Sequence, residues 1–262
     1  MAGTLYKVGA WGFFAWGLPL FPQAASALAP WLLALAAITA VYAGLLAIAQ
    51  EDLKRLLAYA SLSHMGIIAA GIFSLHITGL NGGVYLLAAQ MASTSALFLL
   101  SGMLYERQKS FDLKAYGGMA KSAPLFAALS LFIIFASIGV PGLSNFPGEF
   151  LSLVGAFQQQ PYLGALAALA VIAAGVYGIN LYQRLFQAEQ KLALTEMRGY
   201  EVAILTPFIV LILYMGIFAQ RPLSVIENQS LAVSSAHEVR FVLKAPEVKE
   251  EKPIESHEGS GH

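Results

Sequence analysis

Three ionisable side chains remain in the apolar part of this chain once its charged loops and its C-terminal end are set aside. They are Lys7, His64 and Glu149. A charge in the middle of a bilayer is costly, so such residues are functional candidates by default. An amine, an imidazole and a carboxylate can each take up and release a proton. This set therefore favours a buried proton relay over a channel lined with rings of charge.

Glu149 lies beside an interruption in an apolar run. The run "LFAALSLFIIFASI" (125–138) leads into "GVPGLSNFPGEF" (139–150), which contains Pro141, Pro147 and three glycines. Unwound backbone at membrane depth must be buried in protein or line a wet cavity, where polar groups lower the cost of ionisation. An acid placed there can change its protonation state when a neighbouring charge moves. The alternative is that Glu149 caps the half-helix that follows the break.

Lys7 and His64 each allow two interpretations. Lys7 lies only about 9 Å along a helix that starts at residue 1, so it could snorkel to the interface instead of being buried. His64 follows "LAYASLS", whose hydroxyls, including that of Ser63, suit the holding of water. The alternative is a hydrogen-bonded histidine that simply packs between helices.

Gln90, Ser93 and Thr94 fall at i, i+3 and i+4, so they share one face of a helix. Gln90 and Thr94 are candidates for a secondary polar axis, together with Ser63. Hydroxyl and amide side chains often do no more than bond neighbouring helices in membranes. For the residues on this face we favour that structural interpretation.

The composition indicates an integral membrane protein. Of 262 residues, 58% are hydrophobic and 11% are charged, against about 25% charged in soluble domains. The formal net charge is zero, which gives no indication of a nucleic-acid partner. The chain has no cysteine, which excludes disulfides and thiolate-held metals or iron–sulfur clusters. Its five histidines lack metal-ligand spacing, so we expect no metal and no cofactor in this chain.

Apolar runs of about 20 residues predict an all-α fold with seven transmembrane helices. The predicted spans are 2–21, 29–50, 56–75, 81–104, 123–157, 162–182 and 202–219. The fifth is too long for one straight helix and contains the break. Residues 1–222 are thus predicted to form a polytopic transmembrane domain. Because the C-terminal end is charged and aperiodic, 223–262 is predicted to be a disordered polar tail.

The loops alternate in charge. The segments 51–55, 106–121 and 183–198 carry nine Lys or Arg residues, whereas "FPQAASALAP", "SLHITGLNGG" and "QQQPY" carry none. Cytoplasmic loops are enriched in Lys and Arg. We therefore predict a cytoplasmic N-terminus and a C-terminal tail on the outer side.

Three stretches together resemble a known family: "EDLKRLLAYASLSHMG" (51–66), "GMLYERQKSFDLKAYGGMA" (102–120) and "GVPGLSNFPGEF" (139–150). They are similar to the antiporter-like membrane subunits of proton-pumping NADH–quinone oxidoreductase (complex I), a family that includes Mrp-type Na⁺/H⁺ antiporters. The resemblance implies fourteen helices in which two inverted five-helix repeats each contain one broken helix. This chain would start in the eighth helix and hold the second repeat complete. We expect a fragment, a mis-called start or half of a split subunit.

The resemblance also implies roles for individual residues. Glu149 matches the acidic residue at the second broken helix, on the exit side of the proton path, and this carboxylate favours the chain-M branch. Lys7 matches a central lysine and His64 an axial histidine. Gln90 stands where the family often has a histidine, so a proton passing there would have to move through water.

The function implied is proton translocation by a translocase subunit, driven by quinone chemistry elsewhere in the complex. Its implied partners are the neighbouring antiporter-like chains L and N and the lipid bilayer, in a bacterial inner membrane. One alternative is an Mrp-type antiporter subunit that exchanges Na⁺ for H⁺ without electron input. Another is a truncated subunit with a structural role only.

Overall fold

A computed structural model describes residues 5, 7–189 and 194–244 of the chain. Within them the structure has ten α-helices, with π-helical turns at Phe13–Gly17 and Gln183–Gln187. The helices are α1 (Lys7–Gly12), α2 (Leu18–Leu20), α3 (Pro22–Ile48), α4 (Leu53–Phe73), α5 (Ile77–Gln108), α6 (Pro124–Ser137), α7 (Asn145–Gln159), α8 (Pro161–Tyr182), α9 (Gly199–Ile217) and α10 (Gln220–Lys244).

The all-α membrane fold is confirmed. Within the described residues, α3, α4, α5, α8 with its π-helical extension, and α9 are each long and apolar enough to cross a membrane. The predicted span 123–157 is present as two half-helices, α6 and α7, with non-helical chain at 138–144. Of the predicted span 2–21, residues 7–20 are helical throughout, as α1, a π-helical turn and α2 in sequence, while residues 2–4 and 6 lie outside the described residues.

The helix ends follow from local sequence. Proline occupies the first position of α3, α6 and α8, where its missing N–H is not needed for a helical bond. Asp52 caps α4 by accepting a hydrogen bond from the Arg55 backbone N–H at 2.8 Å. Lys109, in a left-handed conformation, ends α5. These signals position the helices that carry the polar residues.

Glycines let the central helices approach closely. A Cβ at Gly66 of α4 would lie 2.5 Å from the Ala40 backbone nitrogen of α3, and one at Gly148 of α7 would lie 2.7 Å from Leu86 Cβ of α5. Membrane helices associate through such backbone contacts because lipid supplies no hydrophobic driving force between them. The helices α3, α4, α5, α7 and α8 therefore form one tightly packed group.

The prediction of a disordered tail is wrong for residues 223–244, which belong to α10. Apolar residues recur at helical spacing in its first half, and Leu223, Ile226 and Val233 pack against the bundle. The average hydropathy of the segment does not reveal these apolar residues, because the polar residues between them dominate it. Residues 245–262 lie outside the described residues.

The basic loops meet at one end of the bundle. Arg107, near the end of α5, forms a two-bond ion pair with Glu201 of α9 at 2.8 and 2.6 Å. Arg184 donates to the Gln50 carbonyl at 3.1 Å, and Lys114 pairs with Glu51. We refer to this end, which carries residues 51–52, 109–123, 188–189 and 194–198, as the basic end.

Glu196 ties the segment before α9 to the start of α6. Its carboxylate accepts hydrogen bonds from the backbone N–H groups of Leu125 at 3.0 Å and Phe126 at 3.1 Å, and from that of Met197. Partial burial by itself raises the pKa of Glu196, but these donors and the nearby Arg107 outweigh it. The pKa therefore lies below its ordinary value of 4.5.

Because the folded-state pKa of Glu196 is lowered, the stability that it contributes is present above about pH 4.5 and is lost as the pH falls through the folded-state pKa. We expect Glu196→Gln to lower the free energy of unfolding at neutral pH by about 0.5 kcal/mol. The difference from wild type should shrink in acid. Thermal unfolding of the detergent-solubilised protein at neutral and acidic pH measures this.

Glu189→Gln, at an exposed carboxylate, is the control and should leave the unfolding temperature unchanged. Equal stability of Glu196→Gln and wild type at neutral pH would contradict the assignment of Glu196 as an anchor of α6.

Candidate functional site

Asn145 holds the break in the fifth predicted span together. It is the first residue of α7, and its Nδ2 donates to the carbonyl of Ser137, the last residue of α6, at 3.0 Å. Its Oδ1 accepts from the Ser93 hydroxyl of α5 at 3.2 Å. One amide therefore satisfies a carbonyl freed at the end of α6 and connects both half-helices to α5.

Glu149 lies one helical turn beyond Asn145, and its side chain is buried. Its Oε1 is 3.0 Å from Nδ1 of His64, which is buried on α4. This is an ion-pair distance, and the angles at the two atoms are not those of a hydrogen bond. The interpretation of Glu149 as a cap is wrong, because it is the fifth residue of α7 and the first turn contains no acid. The carboxylate instead faces a second titratable group across a helix contact.

The second carboxylate oxygen of Glu149 lies against the backbone of Gly139. A Cβ at Gly139 would be 2.1 Å from Oε2, and the residue has a φ of +74°, which glycine adopts without strain. The unwound segment therefore leaves room for the carboxylate only because Gly139 has no side chain.

The other imidazole nitrogen of His64 is also paired. Nε2 lies 2.9 Å from the hydroxyl of Tyr177, which is buried on α8. Tyr177 is not among the candidate residues predicted from the sequence, because its segment "AGVYG" (174–178) has the small residues typical of helix packing. The available signal was a phenol within an otherwise apolar span, which merited the same weight as the hydroxyls of α5.

Lys7 is fully buried, so its side chain does not snorkel. Its Nζ donates to Thr94 Oγ1 at 3.3 Å and to Gln90 Oε1 at 3.5 Å, and the Thr94 hydroxyl donates to Gln90 Oε1 at 2.6 Å. The ammonium donors fix the orientation of the Gln90 amide, because the opposite flip would turn an N–H donor toward them. Among the described residues, Gln90 Nε2 has no protein partner.

The polar face of α5 serves two clusters. Gln90 and Thr94 contact Lys7, and Ser93 contacts Asn145 at the break. The structure thus brings Lys7 and Asn145, which lies one helical turn before Glu149, against one face of α5. Ser63 has a different contact, because its hydroxyl donates to the Ala40 carbonyl of α3 at 2.7 Å and bonds α4 to α3.

The arrangement suits proton transfer and offers little to a metal. Within residues 5, 7–189 and 194–244, no three His, Asp or Glu side chains come together as a metal site requires. The groups that do meet are a carboxylate, an imidazole and a phenol in one cluster, and an amine with neutral acceptors in the other. The carboxylate–imidazole pair can hold or release a proton at the Nδ1–Oε1 contact.

Residues 1–175 match the model of the family described as "NADH:quinone oxidoreductase/Mrp antiporter, TM". The chain belongs to this family. It is 46% identical over 216 residues to NADH-quinone oxidoreductase subunit 13 of Thermus thermophilus, covering 82% of this chain and 46% of that protein. It is 37% identical over 231 residues to NADH-quinone oxidoreductase subunit M of Rickettsia prowazekii, covering 86% and 47%. The chain thus spans about half the length of these relatives.

The fold is shared with solved membrane complexes. A chain in the structure of respiratory complex I from Thermus thermophilus with bound NADH is 42% identical and superposes with a TM-score of 0.86, over 88% of this chain and 50% of that chain. A chain of the Mrp complex from Dietzia sp. DQ12-45-1b has a TM-score of 0.78 over 92% of this chain and 54% of its own length. At 18% identity the second match shows the fold alone.

The contact between Glu149 and Gly139 can be tested against a matched glycine in the same break. Gly142 also has a positive φ, of +91°, but a Cβ there would meet nothing within 4 Å. Each Gly→Ala change should cost about 1–2 kcal/mol of backbone strain. Only Gly139→Ala should in addition displace the Glu149 carboxylate, so it should show the lower unfolding temperature. Equal unfolding temperatures for the two variants would contradict the contact.

Proposed function

We propose that this chain is a proton-conducting membrane subunit of a respiratory NADH–quinone oxidoreductase. The observation that carries the proposal is the buried Glu149–His64 pair, 3.0 Å apart at a helix break. It is supported by family membership and by relatives whose names place them in NADH–quinone oxidoreductase. Burying an acid–base pair inside a membrane costs desolvation free energy. Apolar side chains could pack the same space without that cost, so the pair indicates a function.

The Glu149–His64 contact would hold one proton, which either the carboxylate or the imidazole can bind. A carboxylate facing Nδ1–H can accept that proton, and the imidazole can afterwards take up another proton. Which group holds the proton depends on neighbouring charge, since electrostatic interactions are strong in a low-dielectric interior. A change in the charge of Lys7, which contacts the same helix α5 as Asn145 at the break, would therefore shift the proton between His64 and Glu149.

Gln90 accepts a hydrogen bond from Lys7 and does not titrate itself. An amide cannot change its protonation state near neutral pH, so protons would pass this position through water. The buried Nε2 of Gln90 supports this step, because such a donor needs an acceptor and the described protein atoms supply none. A water bound there would extend the Lys7 cluster by one hydrogen-bonded step.

The proposal includes the neighbouring subunits of the chain and its orientation in the membrane. The chain would carry no redox centre, and quinone chemistry elsewhere in the complex would drive the charge changes. Its neighbours would be antiporter-like chains L and N. The gathering of the basic loops at one end of the bundle supports a cytoplasmic basic end and a cytoplasmic N-terminus.

Replacing Glu149 tests the proton site directly. In inside-out membrane vesicles that contain the assembled complex, Glu149→Gln should cut NADH-driven proton uptake at least about tenfold, because glutamine cannot carry the proton. Uptake is measured by quenching of a pH-sensitive dye and is normalised to assembled complex. The control is Glu201→Gln, a buried carboxylate at the basic end that pairs with Arg107. It should lower stability and leave proton uptake per complex unchanged.

Full proton uptake in Glu149→Gln would overturn the proposal. The same vesicles discriminate the Mrp-type alternative, since an antiporter would collapse an imposed pH gradient on addition of Na⁺ without NADH. We expect no such response.

Lys7→Arg separates charge from titration. Arginine keeps the positive charge beside Gln90 and Thr94 but does not deprotonate in proteins. If Lys7 must lose its proton during the cycle, NADH-driven proton uptake should fall about tenfold or more. If the positive charge alone matters, uptake should survive in Lys7→Arg and be lost in Lys7→Met. That result would remove Lys7 from the proton path and leave it an electrostatic role.

A further inference from the structure

Tyr177 contacts the imidazole of His64 at Nε2, so it can influence which ring nitrogen carries the proton. Its hydroxyl is 2.9 Å from His64 Nε2, while Nδ1 of the same ring is 3.0 Å from Glu149 Oε1. All three side chains are buried, on α8, α4 and α7 respectively. The imidazole is therefore clamped between two oxygens of different chemistry.

The two contacts select the same tautomer. A neutral imidazole has one N–H donor and one bare nitrogen acceptor. An ionised Glu149 can only accept, so a bare Nδ1 facing Oε1 would place two acceptors against each other. The phenol of Tyr177 is protonated near neutral pH and can donate to a bare Nε2. The pattern that satisfies both neighbours has the proton on Nδ1.

We propose that Tyr177 is a positioning residue that keeps neutral His64 in the Nδ1–H tautomer, aimed at Glu149. When the imidazole takes up a second proton, Nε2–H donates to the Tyr177 oxygen, since a phenol both donates and accepts. The hydroxyl thus pairs with both charge states without moving. Its effect on proton transfer rests on the proposed function, whereas its effect on the tautomer does not.

The surroundings of Tyr177 favour positioning over proton carriage. The cavity next to its ring has a volume of about 10 Å³ and is lined mainly by leucine, isoleucine and alanine. A second cavity, of about 20 Å³, is similarly apolar and lies farther along the same helices. A water needs two to four polar partners, so cavities of this kind stay dry. Neither cavity supplies a water chain that would carry protons onward from the phenol.

The tautomer can be read directly by ¹⁵N NMR of the full chain reconstituted in liposomes with labelled histidine, at alkaline pH. His64→Gln identifies the His64 signals among those of the five histidines. Wild type should show a protonated Nδ1 and a bare Nε2. Nδ1 has no hydrogen-bond geometry toward Glu149, so the bond from Tyr177 to Nε2 is the contact that fixes the tautomer. In Tyr177→Phe, which keeps the ring and removes only the hydroxyl, signals of the Nε2–H tautomer should therefore appear beside those of the Nδ1–H form.

Tyr182→Phe is the matched control, because Tyr182 lies on the same helix and its ring packs against that of Phe186. It should leave the His64 signals unchanged. In vesicles with the assembled complex, Tyr177→Phe should also lower NADH-driven proton uptake about tenfold, and Tyr182→Phe should not.

An unchanged tautomer in Tyr177→Phe would overturn the inference, whatever its proton uptake. A changed tautomer with full uptake would also overturn it, provided that Glu149→Gln has lost uptake, since the tautomer would then be irrelevant to transfer. If the tautomer changes and Glu149→Gln still pumps, the proposed function fails while the positioning of His64 by Tyr177 stands.

Discussion

The cost of burying the Glu149 carboxylate is the constraint on which the rest of the structure depends. An isolated carboxylate in a medium of low dielectric is strongly disfavoured unless it is paired or hydrogen-bonded. Here the pairing comes from His64 at 3.0 Å, and the space comes from Gly139, whose missing Cβ would otherwise overlap Oε2. The helix break supplies both the glycine and the polar backbone. The Glu149 carboxylate can therefore be buried only because the chain beside it is unwound.

The same constraint explains the close packing of the central helices. The Glu149–His64–Tyr177 arrangement draws one side chain from each of three helices, and His64 lies about 3 Å from each of the other two. Such distances require backbones that cannot drift, and the glycine contacts at Gly66 and Gly148 hold α4 against α3 and α7 against α5. A looser bundle would leave the imidazole free to rotate away from one of its two partners.

Much of the architecture could be predicted from the sequence because it follows from local composition. Apolar length indicates the spans, and Pro141, Pro147 and the glycines indicate the break that the structure shows at 138–144. Burial of Lys7 was left open, since spacing does not tell whether a long side chain turns inward. Tyr177 was missed because its partner, His64, is 113 residues away in the chain. Contacts of that kind depend on which helices pack, and one sequence does not reveal this.

The tail shows a different limit. Its average composition is polar. Leu223, Ile226 and Val233 form an apolar stripe whose role follows only from the surface of the bundle that it contacts. Ser63 shows the converse: a hydroxyl next to a candidate site residue forms an interhelix bond with Ala40. Sequence proximity to His64 suggested a shared role, but successive residues of a helix point in different directions.

Asn145 gives the bundle a mechanical linkage. Its side chain joins the end of α6 to Ser93 of α5, and Ser93 directly precedes Thr94, which contacts Lys7. A displacement of α5 that follows a change at Lys7 would therefore pull on the first residue of α7. Glu149 lies one turn along that half-helix, so the carboxylate would shift relative to His64. In the proposed proton path, Asn145 would thus couple a change at the Lys7 amine to the distance between Glu149 and His64.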